Sequence, residues 1–336
     1  RTFTEPAFAQ APADDARKGE PGYTATGRRE TRLLSPYNTG SLPLQGRTQE
    51  LRQLRAWLDA PGLVAVHALI GGGGRGKTRL ATELAAQARA AGWTAGFAQR
   101  DALDRFVGGG CATAWRGPTL VIVDYAAAKS AAIAGWLRSL VHDVTGGGDL
   151  PPLRLLLLER DGGESVAWWR EVFGGADLEA EGVRDILARD APLTVGPLTA
   201  PEERHAVFAA AFTEAAGAAA SARSAALDDV LARISLGGEP LFLAMFGLIA
   251  ARQGLDVAKG LEADQIAFTL ADQETQRIER IWAARGLPVA ADRPLHRHLA
   301  AVASLCEGLD EPTAHVVIAR ESAALHQAIP PGSTEA

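Results

Sequence analysis

The 336-residue chain is short of several residue types, and each shortage closes off a class of protein. It holds two cysteines, Cys111 and Cys306, far apart in sequence and without CxxC spacing. No disulfide framework is expected, which suits a reducing, cytoplasmic setting. No run approaches the roughly 18 apolar residues that cross a bilayer, and no charged-then-apolar segment opens the chain, so no membrane partner is expected. Positive charge is not in excess. The formal net charge of −6 leaves no electrostatic footprint for nucleic acid, which is not the expected partner. No GxSxG, HExxH or Cys/His nucleophile arrangement occurs. His296 and His298 stand two apart on an expected helix, where their rings point to different sides and read as a solvated face. The single methionine, Met245, lies far inside a chain that starts at Arg1, so a longer parent protein is expected.

Lysine is scarce too, with four in all, and that makes one segment stand out. Gly71, Gly72, Gly73, Gly74, Arg75, Gly76, Lys77 and Thr78 fit GxxxxGK(S/T), the phosphate-cradling P-loop. The glycines let successive backbone N–H groups turn toward phosphates, Lys77 reaches the β/γ oxygens, and the Thr78 hydroxyl ligates Mg²⁺ at a helix N-terminus. Context supports the match. Residues 63–70 form an apolar run of strand length ahead of the loop, and Leu80, Leu84, Ala85 and Ala88 recur behind it at helical spacing. The expected ligands are ATP or ADP with Mg²⁺, held by the cradle residues, Lys77, Thr78 and the adjoining Arg79.

The remaining organisation is read outward from that loop. Residues 1–42, rich in Pro, Gly and Thr, read as a flexible lead-in or linker. Gly46-Arg47 precedes an amphipathic helix carrying Leu51, Leu54, Trp57 and Leu58. A weak strand is expected at 94–98 and a strong one at 119–125, whose apolar run closes on Asp124. That is the Walker B pattern, in which a carboxylate at the strand end holds the Mg²⁺ shell opposite the P-loop threonine. The strand between the two motifs points to the RecA and AAA+ type of P-loop protein, not to adenylate kinases or small GTPases. Then come a helix at about 130–144 and a buried strand at 153–160 that delivers Arg160 to the sheet's C-terminal edge, where open α/β sheets place ligands. Arg160 reads either as a γ-phosphate sensor or as an ordinary solvated arginine in a turn. Trp168 and Trp169 read as core, and 192–195 as the last strand. Helices are expected at about 201–216, 223–235, 240–252, 262–284, 293–306 and 311–326.

With Gly46-Arg47, the P-loop, Val123-Asp124-Tyr125 and Gly237-Gly238-Glu239-Pro240-Leu241 in that order, the chain resembles the bacterial STAND NTPases, the class of NB-ARC and NACHT switch proteins, over about residues 43–320. The resemblance implies an ASCE/AAA+-like P-loop NTPase domain at 43–198, a helical lid domain at 199–286 and a partial winged-helix-like region at 287–336, opened by Leu299 to Cys306. It also implies that Arg47 belongs to the nucleotide site and that Pro240 packs near the base, although Gly-x-Pro alone is an ordinary helix-start signal. What such a protein does is implied as well. ADP holds a closed form, ATP with a sensed signal opens it to homo-oligomerise and activate an effector, and many bacterial relatives act in antiphage defence or transcriptional control. Effector and sensor domains are expected outside these residues.

One departure bears on rate. Hydrolytic enzymes of this type carry a glutamate near the Walker B aspartate to orient water, whereas Tyr125, Ala126, Ala127 and Ala128 follow Asp124. Slow hydrolysis is expected, with Lys77, Asp124 and Arg160 as the residues acting on phosphate. The rival reading is an AAA+ remodeller or a DNA-associated loader. A remodeller needs an arginine finger and a pore loop, a loader needs a basic winged helix, and no feature of the sequence establishes any of them.

Overall fold

The computed structural model describes residues 34, 36, 42–98, 115–144, 150–174, 187–189, 191–220, 222–235 and 237–270. The chain divides into two units, the first comprising residues 1–18 and 28–267. All elements named below belong to that unit. The expected helices at 293–306 and 311–326, the remainder of 262–284, the winged-helix-like region, His296, His298 and both cysteines lie outside the described residues.

Six strands form one parallel sheet: β1 (Val64–Ile70), β2 (Thr94–Phe97), β3 (Thr119–Asp124), β4 (Leu153–Glu159), β5 (Leu187–Arg189) and β6 (Leu193–Thr194). The order is β2-β3-β4-β1-β5, with β6 also paired to β1. β4 occupies one edge of β1 along its whole length, so β5 and β6 share the other. The weak strand at 94–98 is therefore real and lies between the two motifs in sequence. In space a different strand, β4, separates them. The registers Ile70↔Glu159 and Asp124↔Leu158 bring the ends of β1, β3 and β4 level at the C-terminal edge of the sheet.

Both faces of the sheet are covered, which is why its strands read as nearly continuous apolar runs. On one face Val121, Val123, Leu155 and Leu157 pack with α3 (Ser130–Val144) and α4 (Ala167–Phe173) through Ile133, Trp136, Leu137, Trp168 and Trp169. On the other, Leu120, Ile122, Leu156 and Leu158 meet α1 (Thr48–Leu58) and α2 (Lys77–Ala90) through Leu54, Trp57, Leu80 and Leu84. Each residue of β3 and β4 goes to the face opposite its neighbour's, as the two-residue period of a strand requires. Arg154 breaks the apolar run of β4 but is fully buried, donating to the carbonyls of Leu58, Ala60 and Gly62. It satisfies the orphan acceptors at the end of α1 and stacks 5.7 Å from the Trp93 ring centre.

Helices follow the sheet: α5 (Pro201–Ala216), α6 (Ala225–Ile234), α7 (Pro240–Gln253) and α8 (Leu255–Lys259). α5 and α7 both begin with proline in the first turn, and Ser224 caps α6 by accepting from Leu227 N–H at 3.2 Å. α5 and α7 pack closely around Phe208 and Phe246, where a Cβ at Gly247 would meet the Phe208 carbonyl oxygen at 2.7 Å. Residues 263–267 are helical too. No helix of the described residues is long and apolar enough to cross a membrane.

Candidate functional site

The glycine-rich loop runs from the end of β1 into α2. Gly76 is the N-cap of α2 at φ 87°, a left-handed conformation that costs a residue without Cβ little. Lys77 then starts the helix, and its Nζ arches back to donate to the carbonyls of Gly71 at 2.6 Å and Gly72 at 3.1 Å. An ammonium is thereby held over the loop. One residue on, Thr78 Oγ1 donates to Asp124 Oδ2 at 3.0 Å, joining two motifs that stand 46 positions apart. Asp124 Oδ1 accepts the Tyr125 N–H at 3.0 Å. Thr78 and Asp124 meet because α2 packs on the same sheet face toward which Leu120, Ile122 and Asp124 alternate.

The charges at this end act on one another. Burial pushes the Asp124 carboxyl above its ordinary value, against the Thr78 and Tyr125 hydrogen bonds and the Lys77 and Lys129 charges, which favour the anion. Burial likewise lowers the proton affinity of Lys77, opposed by Asp124 and Glu159 and reinforced by Arg160 and Arg75. A half-buried anion in this state gains from a cation beside it. Among the described residues no group of three or more metal-binding side chains occurs. Mg²⁺ is usually held by one or two carboxylates together with substrate phosphates and water. Thr78 and Asp124 are the residues that would hold it.

A cleft of about 390 Å³ extends from this charged end to an apolar wall. That volume lies within the range of small-ligand sites, roughly 300–1,000 Å³. Leu42, Leu44, Val207, Pro240, Leu241 and Ala244 line the wall. Pro240 lines the apolar wall of the cleft, and Arg160 is exposed at the charged end.

Three arginines of the expected site are tied to protein groups. Arg47, 4% exposed, pairs with Glu50 at 2.9 Å and donates to the carbonyls of Arg75 at 3.1 Å and Gly196 at 2.7 Å. It braces the cradle from beneath. Arg79 pairs with Glu83 at 3.2 Å and donates to the Leu42 carbonyl at 3.0 Å, so it pins the segment that forms part of the apolar wall. Arg75 stands 3.6 Å from Glu239, and beside it the Leu241 N–H donates to the Gly74 carbonyl at 3.3 Å. The phosphate loop is bonded directly to the first turn of α7.

Sequence reasoning passed over several participants. Glu159 closes β4 and lines the charged end, with Oε1 accepting the Arg160 N–H at 2.7 Å and Oε2 the Ala127 N–H at 3.0 Å. The signal was an acid ending an apolar strand, masked by the arginine after it. Lys129 donates to the Asp124 carbonyl at 3.1 Å, and Tyr125 adopts a left-handed φ of 55°, the one positive φ outside glycine among the described residues. Val207 and Ala244 are separated by helix-length stretches, and no local motif announces either.

The strand order, the loop joining β1 to α2 and the Thr78–Asp124 pair make this a P-loop NTPase fold with a parallel sheet between helical layers. No protein-family model matches the chain. No curated protein matches it either. Among solved structures, one variant of Thermotoga maritima RuvB is similar at 17% identity and TM-score 0.38, over 77% of this chain and 78% of that one. A second RuvB variant is similar at 16% identity and TM-score 0.39, over 82% and 86%. At such TM-scores the likeness carries no weight of its own, and the fold class stands on the strand order and the loop.

Proposed function

We propose that the protein is a nucleotide-dependent molecular switch of the STAND kind, binding ADP or ATP with Mg²⁺ and hydrolysing ATP slowly. The observation that carries the nucleotide reading is the convergence of Lys77, Thr78 and Asp124 at one sheet edge, with Thr78 bonded to Asp124 at 3.0 Å. In that reading Lys77 contacts the β/γ-phosphates, the N–H groups of Gly72 to Gly76 turn to the phosphates, and the apolar wall with Pro240 takes the base. Mg²⁺, when bound, neutralises charge that builds on the phosphate oxygens. Thr78 and Asp124 orient it and Arg160 senses the γ-phosphate.

The switch component is supported by the bond between Gly74 and Leu241 and the Arg75–Glu239 pair, through which phosphates in the cradle bias the position of α7. The slow-turnover reading rests on the alanines after Tyr125, which put no acid next to Asp124 in the sequence. Nucleotide state would then govern homo-oligomerisation and the activation of an effector, as in signalling or antiphage defence. The test is solution mass measured with ADP and with a non-hydrolysable ATP analogue. A larger assembly with the analogue alone is expected, and the same mass in both overturns the switch.

A further inference from the structure

We propose that Glu159 is the carboxylate that orients the attacking water, a role left open by the residues after Asp124; the inference rests on the nucleotide reading above. The described lining of the cleft holds two carboxylates, Asp124 and Glu159. Asp124 is committed to Thr78 and, in that reading, to the cation. Glu159 is the remaining acid, and it comes from the strand between the P-loop strand and the Asp124 strand.

Several observations place it. Glu159 stands in register with Ile70, the last residue before the cradle, and its carbonyl accepts the Gly71 N–H at 3.2 Å. It lines the cleft together with Lys77, the group assigned to the β/γ oxygens, and its charge favours that ammonium. Its orientation is set by two backbone donors, Arg160 N–H on Oε1 and Ala127 N–H on Oε2. Each oxygen keeps a lone pair for water, since a carboxylate accepts about four hydrogen bonds.

The donor at Ala127 is itself arranged. Tyr125 at φ 55° turns the chain out of β3 into the 3₁₀ turn Ala126–Lys129, and this turn carries the Ala127 N–H to Glu159. A left-handed conformation in a bulky residue costs free energy and gathers at functional sites. The strained turn therefore follows one carboxylate of the site and fixes the other.

In the step, water held by Glu159 forms an O–P bond to the γ-phosphorus as the bond from that phosphorus to the β–γ bridging oxygen breaks. The bond's electron pair leaves with ADP, and the water's proton departs with inorganic phosphate.

The test uses the whole chain and the variants Glu159→Gln and Glu159→Ala, read by binding of ADP·Mg²⁺, binding of ADP·Mg²⁺ with aluminium fluoride as a transition-state mimic, and single-turnover hydrolysis. Gln keeps an oxygen for the Ala127 N–H. For Glu159→Gln, ADP affinity within about threefold of wild type is expected, with hydrolysis down at least about 100-fold and affinity for the mimic down about tenfold or more. The Ala variant should lose hydrolysis to a similar degree. Wild-type hydrolysis and mimic affinity in Glu159→Gln overturn the proposal alone. So does a parallel loss of ADP affinity and thermal stability, which would make Glu159 a brace for the turn. A wild type that binds no ADP overturns the nucleotide reading beneath it, and this proposal with it.

Discussion

The two ends of the cleft are built in opposite ways. At the charged end one contiguous octapeptide supplies the cradle, the lysine and the threonine, and a single distant residue, Asp124, completes the set. At the apolar end the wall is assembled from Leu34, Pro36, Leu42, Pro43 and Leu44, from Val207 on α5 and from the start of α7. The first end is specified by local backbone geometry and the second by packing between segments. Substitution of Lys77 at the charged end should therefore change ligand affinity with little effect on the fold, and substitution of Gly238, just ahead of α7 and outside the cleft lining, should do the reverse.

The largest expected effect is at Lys77. Removing a charge-assisted contact to phosphate costs about 3 kcal/mol, so Lys77→Ala should weaken ADP binding about 100-fold while leaving the denaturation midpoint close to wild type. Gly238→Ala is the counterpart. Gly238 lies at φ 122°, and a Cβ there would run into the Leu198 backbone, whose N–H donates to the Gly238 carbonyl at 2.7 Å. A loss of about 2–3 kcal/mol in urea denaturation is expected from combined strain and clash. An unchanged midpoint would break the comparison.

Asp124→Asn separates the two properties within one residue. Because burial raises the Asp124 pKa, the folded state binds more protons than the unfolded chain between the ordinary carboxylate value and the raised one. Stability therefore falls as pH rises through that window and stays lower above it. The Asn variant removes that cost, so its ligand-free Tm at neutral pH should exceed wild type, while Mg²⁺-dependent ADP affinity falls about tenfold. The variant should also flatten the pH dependence of Tm. The smallest effect is at Arg75, 26% exposed and 3.6 Å from Glu239. Arg75→Ala should change stability by less than about 1 kcal/mol, and a larger change would mean that the pair holds α7 in place.

This division also explains what was legible in the sequence. The loop, the Asp124 strand, the intervening strand at 94–98 and the proline starts of α5 and α7 each carry their signal within a few residues. β5 does not. Three residues offer no period to read, and pairing with β1 is what makes them a strand. The role of Arg47 as a brace depends on Gly196, 149 positions away, and that of Glu159 on an N–H donated 32 positions away. Such partners follow from the strand order, which no single stretch of sequence encodes.

The most direct test of the central claim is calorimetric titration of the wild-type chain and Lys77→Ala with ADP, each with and without Mg²⁺. Saturable one-to-one binding, tightened by Mg²⁺ and weakened about 100-fold in the variant, is the predicted result. The absence of saturable binding to the wild type, or an affinity untouched by both Mg²⁺ and Lys77→Ala, would contradict it.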